Sequence, residues 1–240
     1  MKPIITVNGI SKSYGSTAAL QNLSFSVEPG HIFGILGENG AGKSTAVECI
    51  LGTRKPDCGT VTIMDMDPVS DRRMLFQHIG VQFQECSFPD KIRVDELCKE
   101  TAVLYQNSAD FKELLHQFGL DEKMYNYVSE LSGGQRQRLF IVLALIPKPQ
   151  IVFLDELTTG LDPRARRDVW HCLKSMKQNG MTIVLTSHFM DEVEALCDHI
   201  LILKKGTAVF EGAPGEAVNI SPRSTLEEAY LWLTEQEEYN

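Results

Sequence analysis

Apolar and polar residues alternate over residues 4–10 and 23–27, which predicts two half-buried strands at the front of the chain. Ile32-Phe33-Gly34-Ile35-Leu36 is an unbroken apolar run and reads as a short buried strand. Ala46 to Leu51 begins a helix that stops near Gly52, and Thr60 to Met64 and Ile79 to Gln84 are strand-like again. From residue 94 to 128 the period changes to that of helices. Val94, Leu97, Cys98, Thr101, Ala102 and Tyr105 fall on one face. Ser108 is placed to cap a second helix running through Phe111, Leu114, Leu115 and Phe118 to Gly119. This stretch has no strand of its own and reads as a helical insertion. A further helix opens at Ser132-Gly133-Gly134 and stays apolar through Ile146, before Pro147. Ile151 to Leu154 is a buried strand of parallel-sheet character that ends on Asp155 and Glu156. Pro163 to Gln178 is an amphipathic helix, followed by strand (Met181 to Leu185), helix (Asp191 to Cys197) and a hairpin (Ile200 to Phe210). Gly212-Ala213-Pro214-Gly215 breaks the pattern. Leu226, Ala229, Tyr230 and Leu233 then form one helical stripe that needs a surface to dock on.

Several stretches carry chemistry. Gly37-Glu38-Asn39-Gly40-Ala41-Gly42-Lys43-Ser44-Thr45 fits G-x-x-x-x-G-K-[ST] between a strand and a helix, the phosphate-binding P-loop pattern. Glycines let backbone N–H groups wrap anionic oxygens, and the following helix points its positive end at them. Lys43 is a mobile cation for β- and γ-phosphates, and the Ser44 hydroxyl suits Mg²⁺. Ser132-Gly133-Gly134-Gln135 is a second glycine-rich helix start, hence a second anion site or an ordinary capped helix. Asp155 sits at a strand's carboxyl end, where P-loop folds place the Mg²⁺-binding aspartate, with Glu156 one step further on. Tyr14, beside Gly15, either lies flat against a base or caps a surface turn, and position alone favours the second. Gln84 ends its strand, where it either reaches a ligand or is solvated. His188 stands one residue past the end of a second buried strand, on the same edge as Glu156, which leaves a functional and a structural reading both open.

Composition narrows the field. The 240 residues are 43% hydrophobic and 23% charged, ordinary values for one large domain or a domain with a subdomain. The charge is 23 − 32 = −9, and residues 225–240 hold five Glu and no Lys or Arg. The body is therefore only mildly acidic, which argues against a nucleic-acid surface. Cys49, Cys58, Cys86, Cys98, Cys172 and Cys197 show no C-x-x-C spacing and read as reduced thiols. The N-terminus lacks a signal-peptide run, and the longest apolar run, Leu139 to Ile146, is too short to span a membrane. Any membrane service would need another chain to cross.

Taken in order, the P-loop, Gln84, Leu131-Ser132-Gly133-Gly134-Gln135, Asp155-Glu156, Gly160-Leu161-Asp162 and His188 resemble the ATP-binding cassette ATPases over nearly the whole chain. The resemblance is closest to cassettes of ABC-2-type exporters. It is carried by Asn39 to Thr45, Gly80 to Glu85, Thr186-Ser187-His188-Phe189-Met190-Asp191-Glu192-Val193-Glu194 and the Leu226-Glu227-Glu228-Ala229-Tyr230 tail. It implies that Tyr14 stacks on adenine, that Gln84 touches Mg²⁺ and senses a membrane partner, and that Asp155 supports Mg²⁺. It also implies that Glu156 is the general base, that His188 holds the γ-phosphate and the attacking water, and that Lys43 and Gln84 serve the chemistry. Ser132, Gly133 and Gly134, with Gln135 beside them, would bind the γ-phosphate of ATP held by a second copy. Asp162 would link the two sites. Glu38 and Leu157 depart from the family, where proline is common.

The fold expected is α/β: a parallel core sheet, an antiparallel front sheet and an inserted helical subdomain. The nucleotide-binding domain would take residues 1–220, with the helical subdomain at about 94–147 and a helical tail at 221–240. The resemblance implies ATP hydrolysis with Mg²⁺ and a partner cassette, either the same chain or a homologue. It also implies a separate integral-membrane permease, no nucleic acid, and a place on the cytoplasmic face of the cell membrane. Two other readings stay open: a cassette ATPase acting on DNA or ribosomes, and a weakly hydrolysing regulatory module.

Overall fold

The computed structural model describes residues 2–82, 88–89, 91–156 and 158–235. Its elements run β1 (Ile5–Tyr14), β2 (Thr17–Val27), β3 (Ile32–Leu36), α1 (Lys43–Ile50), β4 (Cys58–Ile63), α2 (Arg72–Leu75) and β5 (Ile79–Gln82). They continue with α3 (Val94–Ala102), α4 (Phe111–Gln117), α5 (Gly133–Leu145), β6 (Ile151–Asp155), α6 (Pro163–Gln178) and β7 (Thr182–Ser187). The last elements are α7 (Met190–Leu196), β8 (His199–Lys204), β9 (Thr207–Gly212), α8 (Pro214–Ile220) and α9 (Leu226–Glu235). The chain divides into two compact units, Met1–Arg72 with Val184–Asn240, and Arg73–Ile183.

In the first unit β1 pairs antiparallel with β2 and with β4, placing Ile5 opposite both Val27 and Ile63. The alternation foreseen at residues 4–10 and 23–27 extends further than expected, because the two strands meet in a turn at Tyr14–Thr17. Strand β3 is buried along its whole length and pairs parallel with β8, which pairs antiparallel with β9. The rings of Phe25 and Phe33 stack at 5.2 Å between centroids, joining the interior of β2 to β3. In the second unit β5 and β6 pair parallel, Ile79 opposite Ile151 and Gln82 opposite Leu154. The class is α/β, with parallel and antiparallel pairing as expected.

Two local differences have physical causes. The cap of α4 is Asp110, whose carboxylate accepts from the Lys112 N–H at 2.8 Å, and not Ser108. The Ala109 N–H is bound to the Ile146 carbonyl at 2.7 Å, so the chain is still tied to the end of α5 there. A helix, α8, begins inside the stretch read as a break. Pro214 occupies its first turn, where the missing N–H costs nothing, and the Glu216 carboxylate accepts from the Ala213 N–H at 2.7 Å. The α9 stripe docks on its own unit: Leu226, Ala229 and Tyr230 are buried, and Lys204 Nζ donates to the Thr234 carbonyl. Burial pushes the thiols of Cys49 to about 11 and Cys98 to about 12, so both are inert at neutral pH.

Candidate active site

The P-loop follows β3 directly. Gly42 caps α1 at φ 108, and a Cβ built there would lie 2.5 Å from the Ala19 carbonyl oxygen, so only glycine fits. Among the described residues, no side chain caps α1. The loop is held instead by backbone: the Ala41 N–H donates to Glu38 O at 3.0 Å, and Ala41 O accepts from Gly206 N at 2.9 Å. Lys43 is 5% exposed, and its ammonium donates to the carbonyls of Gly37 (2.8 Å) and Glu38 (3.2 Å), folded back over the loop. Glu38, Asn39, Gly40 and Ser44 are exposed, Thr45 is half-buried and Ala41 is buried.

On its outer side the loop meets the tail helix. A cavity of about 420 Å³ is lined by Glu38, Asn39, Gly40 and Ala41 and by Tyr230 and Thr234 of α9. Burial pushes the Tyr230 phenol up, and the Glu38 carboxylate adds to this. The Glu38 backbone N–H hydrogen-bonded to the phenol works the other way.

Tyr14 ends β1 and is 41% exposed, with the Arg54 guanidinium carbon 5.4 Å from its ring centroid. His188 stands just past β7 and is exposed, its ring 4.1 Å from that of Phe189. The turn under it is fixed by a buried pair. Ser187 Oγ donates to Glu192 Oε2 at 2.6 Å and accepts from the Phe189 N–H at 3.0 Å.

In the second unit Asp155 is 8% exposed at the end of β6, and its N–H donates to Gln82 Oε1 at 3.1 Å. Glu156 follows at φ 48, a left-handed conformation uncommon for a residue with a side chain. That backbone reversal turns the chain out of the buried strand and leaves Glu156 half-buried. Gln84 and Leu157 lie outside the described residues.

Helix α5 opens with a complete capping box. Ser132 Oγ accepts from Gln135 N at 3.3 Å, and Gln135 Oε1 accepts from Ser132 N at 3.0 Å. A Cβ on Gly133 would meet nothing within 4 Å, whereas one on Gly134 would meet Ala165 Cβ at 3.0 Å. Asp162 caps α6, one carboxylate oxygen accepting from the N–H groups of Arg164 (2.9 Å) and Ala165 (3.0 Å). Those bonds, Ala165 first, hold the Asp162 carboxyl below the usual carboxylate range. Ser132, Gly133, Gly134 and Gln135 line one cavity of about 390 Å³ together with Gly160 and Asp162. Two stretches separated in sequence thus meet in one hollow.

The family described as ABC transporter matches residues 20–159. The chain belongs to this family. It is an ATP-binding, ATP-hydrolysing cassette. Nod factor export ATP-binding protein I of Rhizobium etli is 39% identical over 224 residues, covering 90% of this chain and 70% of that protein. The protein of the same name from Mesorhizobium japonicum is 41% identical over 211 residues, covering 86% of this chain and 62% of its own length. A solved ATP-binding subunit of an ABC transporter superposes with a TM-score of 0.87 at 25% identity, over 97% of this chain and 100% of that one. Among the described residues of this cassette, no helix is long and apolar enough to cross a membrane.

The sequence reading missed two supporting residues. Gln82, 3% exposed, holds the backbone of Asp155, and Glu192, 4% exposed, anchors the turn before His188. A polar residue inside an otherwise apolar strand and a buried acid five residues after Ser187 were the available signals. The donor set suits a hard cation. Ser44 in the first unit and Asp155 in the second each offer only oxygen, and Asp155 is shielded from solvent at the end of its strand. Among the described residues, no cluster of three or more His, Cys, Asp or Glu could hold a metal by itself. Mg²⁺ is commonly bound through one or two protein oxygens plus phosphates and waters.

Proposed function

We propose that this cassette powers a separate membrane permease of an ABC-2-type exporter, through ATP-driven head-to-tail pairing with a second cassette. The observation that carries the reading is the hollow around Gly133. One γ-phosphate needs one anion-binding helix start in its own chain, and this chain carries a second glycine-rich helix start, closed by its own capping box yet with open space at Gly133. Two-fold pairing would bring that helix start to ATP bound on the partner's P-loop. The relatives' names support export as the direction. They do not carry the cargo across, because cargo choice belongs to the membrane subunit.

Within the composite site each residue has a task. The N–H groups of Gly40 to Thr45 and the Lys43 ammonium hold the β- and γ-phosphates, with Gly37, Glu38 and Asn39 forming the loop's entry. Lys43 must leave the carbonyls of Gly37 and Glu38 to do so. Ser132, Gly133, Gly134 and Gln135 of the partner close on the γ-phosphate. Tyr14 stacks on adenine, and Asp162 links the two sites. Glu156 accepts the proton of the attacking water, and His188, set by Ser187 and Glu192, orients it. Mg²⁺ held by Ser44, Asp155 and Gln84 would neutralise charge on the phosphate oxygens. Catalysis is then positioning plus electrostatic stabilisation of the γ-phosphoryl.

The second unit offers a surface for a membrane partner. Met74, Val103 and Leu104 are 57%, 81% and 70% exposed, and a hollow of about 590 Å³ is lined by Met74, Gln77, His78 and Leu104. The domain boundaries at 1–220 and 221–240, the subdomain at about 94–147 and the cytoplasmic membrane face belong to the same proposal. Affinity capture from detergent-solubilised membranes, with phosphate release measured on the captured material, tests it. Co-purification of a polytopic membrane protein that raises ATP turnover is expected. Recovery of ribosomes or DNA in its place, or absence of turnover, sinks it.

A further inference from the structure

The base end of the site holds a contact with no assigned role. Arg54 lies in the loop after α1, beside Tyr14, with its guanidinium carbon 5.4 Å from the ring centroid. It is itself anchored on α1. Its backbone N–H donates to the Glu48 carbonyl at 3.1 Å, and its Nε pairs with Glu48 Oε2 at 3.2 Å. From the other side of the loop Asp57 accepts from Lys12 Nζ and from the Ser13 N–H, both at 2.7 Å. The strand leading into Tyr14 is therefore tied to the same Arg54–Asp57 loop. With Arg54 in place Tyr14 still keeps 41% of its surface open.

We propose that Arg54 is a positioning residue for nucleotide binding: its guanidinium covers one face of the Tyr14 ring and presents the opposite face to the adenine. The proposal rests on the reading of Tyr14 as the base-stacking residue. An exposed tyrosine beside Gly15 is free to sample several rotamers, and stacking a base on it means ordering it first. A planar cation resting on one face restricts that freedom before ATP arrives. The arrangement makes α1 serve both ends of the nucleotide. Its first turn faces the phosphates, and Glu48 near its end sets the base platform through Arg54.

The test is calorimetric titration of the full chain with ATP and with inorganic tripolyphosphate, which has no base. The variants are Tyr14→Ala, Arg54→Ala, Arg54→Lys and the Tyr14→Ala/Arg54→Ala pair, each checked for folding by circular dichroism. Arg54→Ala should weaken ATP by about 2- to 5-fold, the scale of an exposed cation–π contact. It should leave tripolyphosphate unchanged and add little to Tyr14→Ala, since both changes remove one coupled contact. Arg54→Lys should restore only part of the affinity, because an ammonium cannot lie flat on the ring. Equal losses for ATP and tripolyphosphate, full rescue by lysine, or additive losses in the pair would each overturn the positioning role of Arg54. Tighter ATP binding on Arg54→Ala would show that the guanidinium blocks the face instead. Unchanged ATP affinity in Tyr14→Ala brings down the stacking reading itself. A weakened Tyr14→Ala beside an unaffected Arg54→Ala brings down only the role of Arg54.

Discussion

The two glycine-rich helix starts of this chain look alike in sequence and are built differently. Helix α1 has no side-chain cap, a glycine forced to φ 108, and a lysine folded onto its own loop carbonyls. Helix α5 is closed by the reciprocal Ser132–Gln135 box, and its Gly133 has open space where a side chain would be. Gly42 is demanded by the chain's own fold, because a Cβ would collide with the Ala19 carbonyl. At Gly133 a Cβ would meet nothing within 4 Å among the described residues. Open space at the first residue of α5 leaves room there for a group from outside the chain.

The largest effect separates holding phosphate from cutting it. Glu156→Gln leaves both helix starts intact and removes only the proposed proton acceptor. Turnover should fall by about 10²–10⁴-fold, the usual cost of losing a general base. ATP binding should persist and an ATP-bound dimer should accumulate on size exclusion. Near-normal phosphate release would remove Glu156 from the chemistry.

Complementation presses harder on the comparison. Lys43→Ala damages the first helix start, and Gly133→Asp puts a carboxylate at the second. A Cβ at Gly133 meets nothing within 4 Å among the described residues, so the Asp variant should fold, which circular dichroism checks. Each variant alone should be dead. In a mixed dimer one composite site is whole and the other carries both lesions, so turnover should recover in part. Tethering the two chains should raise that recovery. If sites formed within one chain, every site would keep one lesion and mixing would rescue nothing. Because paired sites that fire only together would also give no rescue, ATP-dependent crosslinking of the tethered pair, from the Ser132–Gly134 region of one copy to the P-loop of the other, decides between them.

What the sequence displayed was whatever backbone geometry forces on residue type. The P-loop could be read because its turns need glycine at set places, and β3 and β6 because full burial makes apolar runs. The Ser132 cap was legible for the same reason: a capping box is a four-residue pattern. Contacts that join distant residues left no such trace. Gln82 and Asp155 are 73 residues apart, and only the parallel pairing of β5 with β6 brings them together. The Arg54–Tyr14 contact is likewise tertiary. Helix α8 is hidden in the sequence by Gly212-Ala213-Pro214-Gly215, residues that mark breaks elsewhere, although Pro214 sits where a helix tolerates proline. The docking of α9 beside Glu38 could not be read from an apolar stripe, which says that a helix buries a face but not against what.

The smallest effect isolates the lesson about glycines. Gly133 is the first residue of α5 and has no positive φ to defend. Replacing it by alanine reduces the freedom of the unfolded chain without a clash, so Gly133→Ala should raise stability by about 0.4–1 kcal/mol. Gly42→Ala should instead lower it by more than that, since φ 108 and a carbonyl at 2.5 Å both oppose a methyl group. Urea midpoints of the isolated chain measure the pair. On the proposed pairing, turnover of Gly133→Ala should nonetheless fall, because the methyl would occupy the space that pairing gives to the γ-phosphate of ATP on the partner. A variant that is more stable and less active would locate the need for this glycine in the dimer. A loss of stability on Gly133→Ala would place that need inside the single chain and remove the difference between the two helix starts.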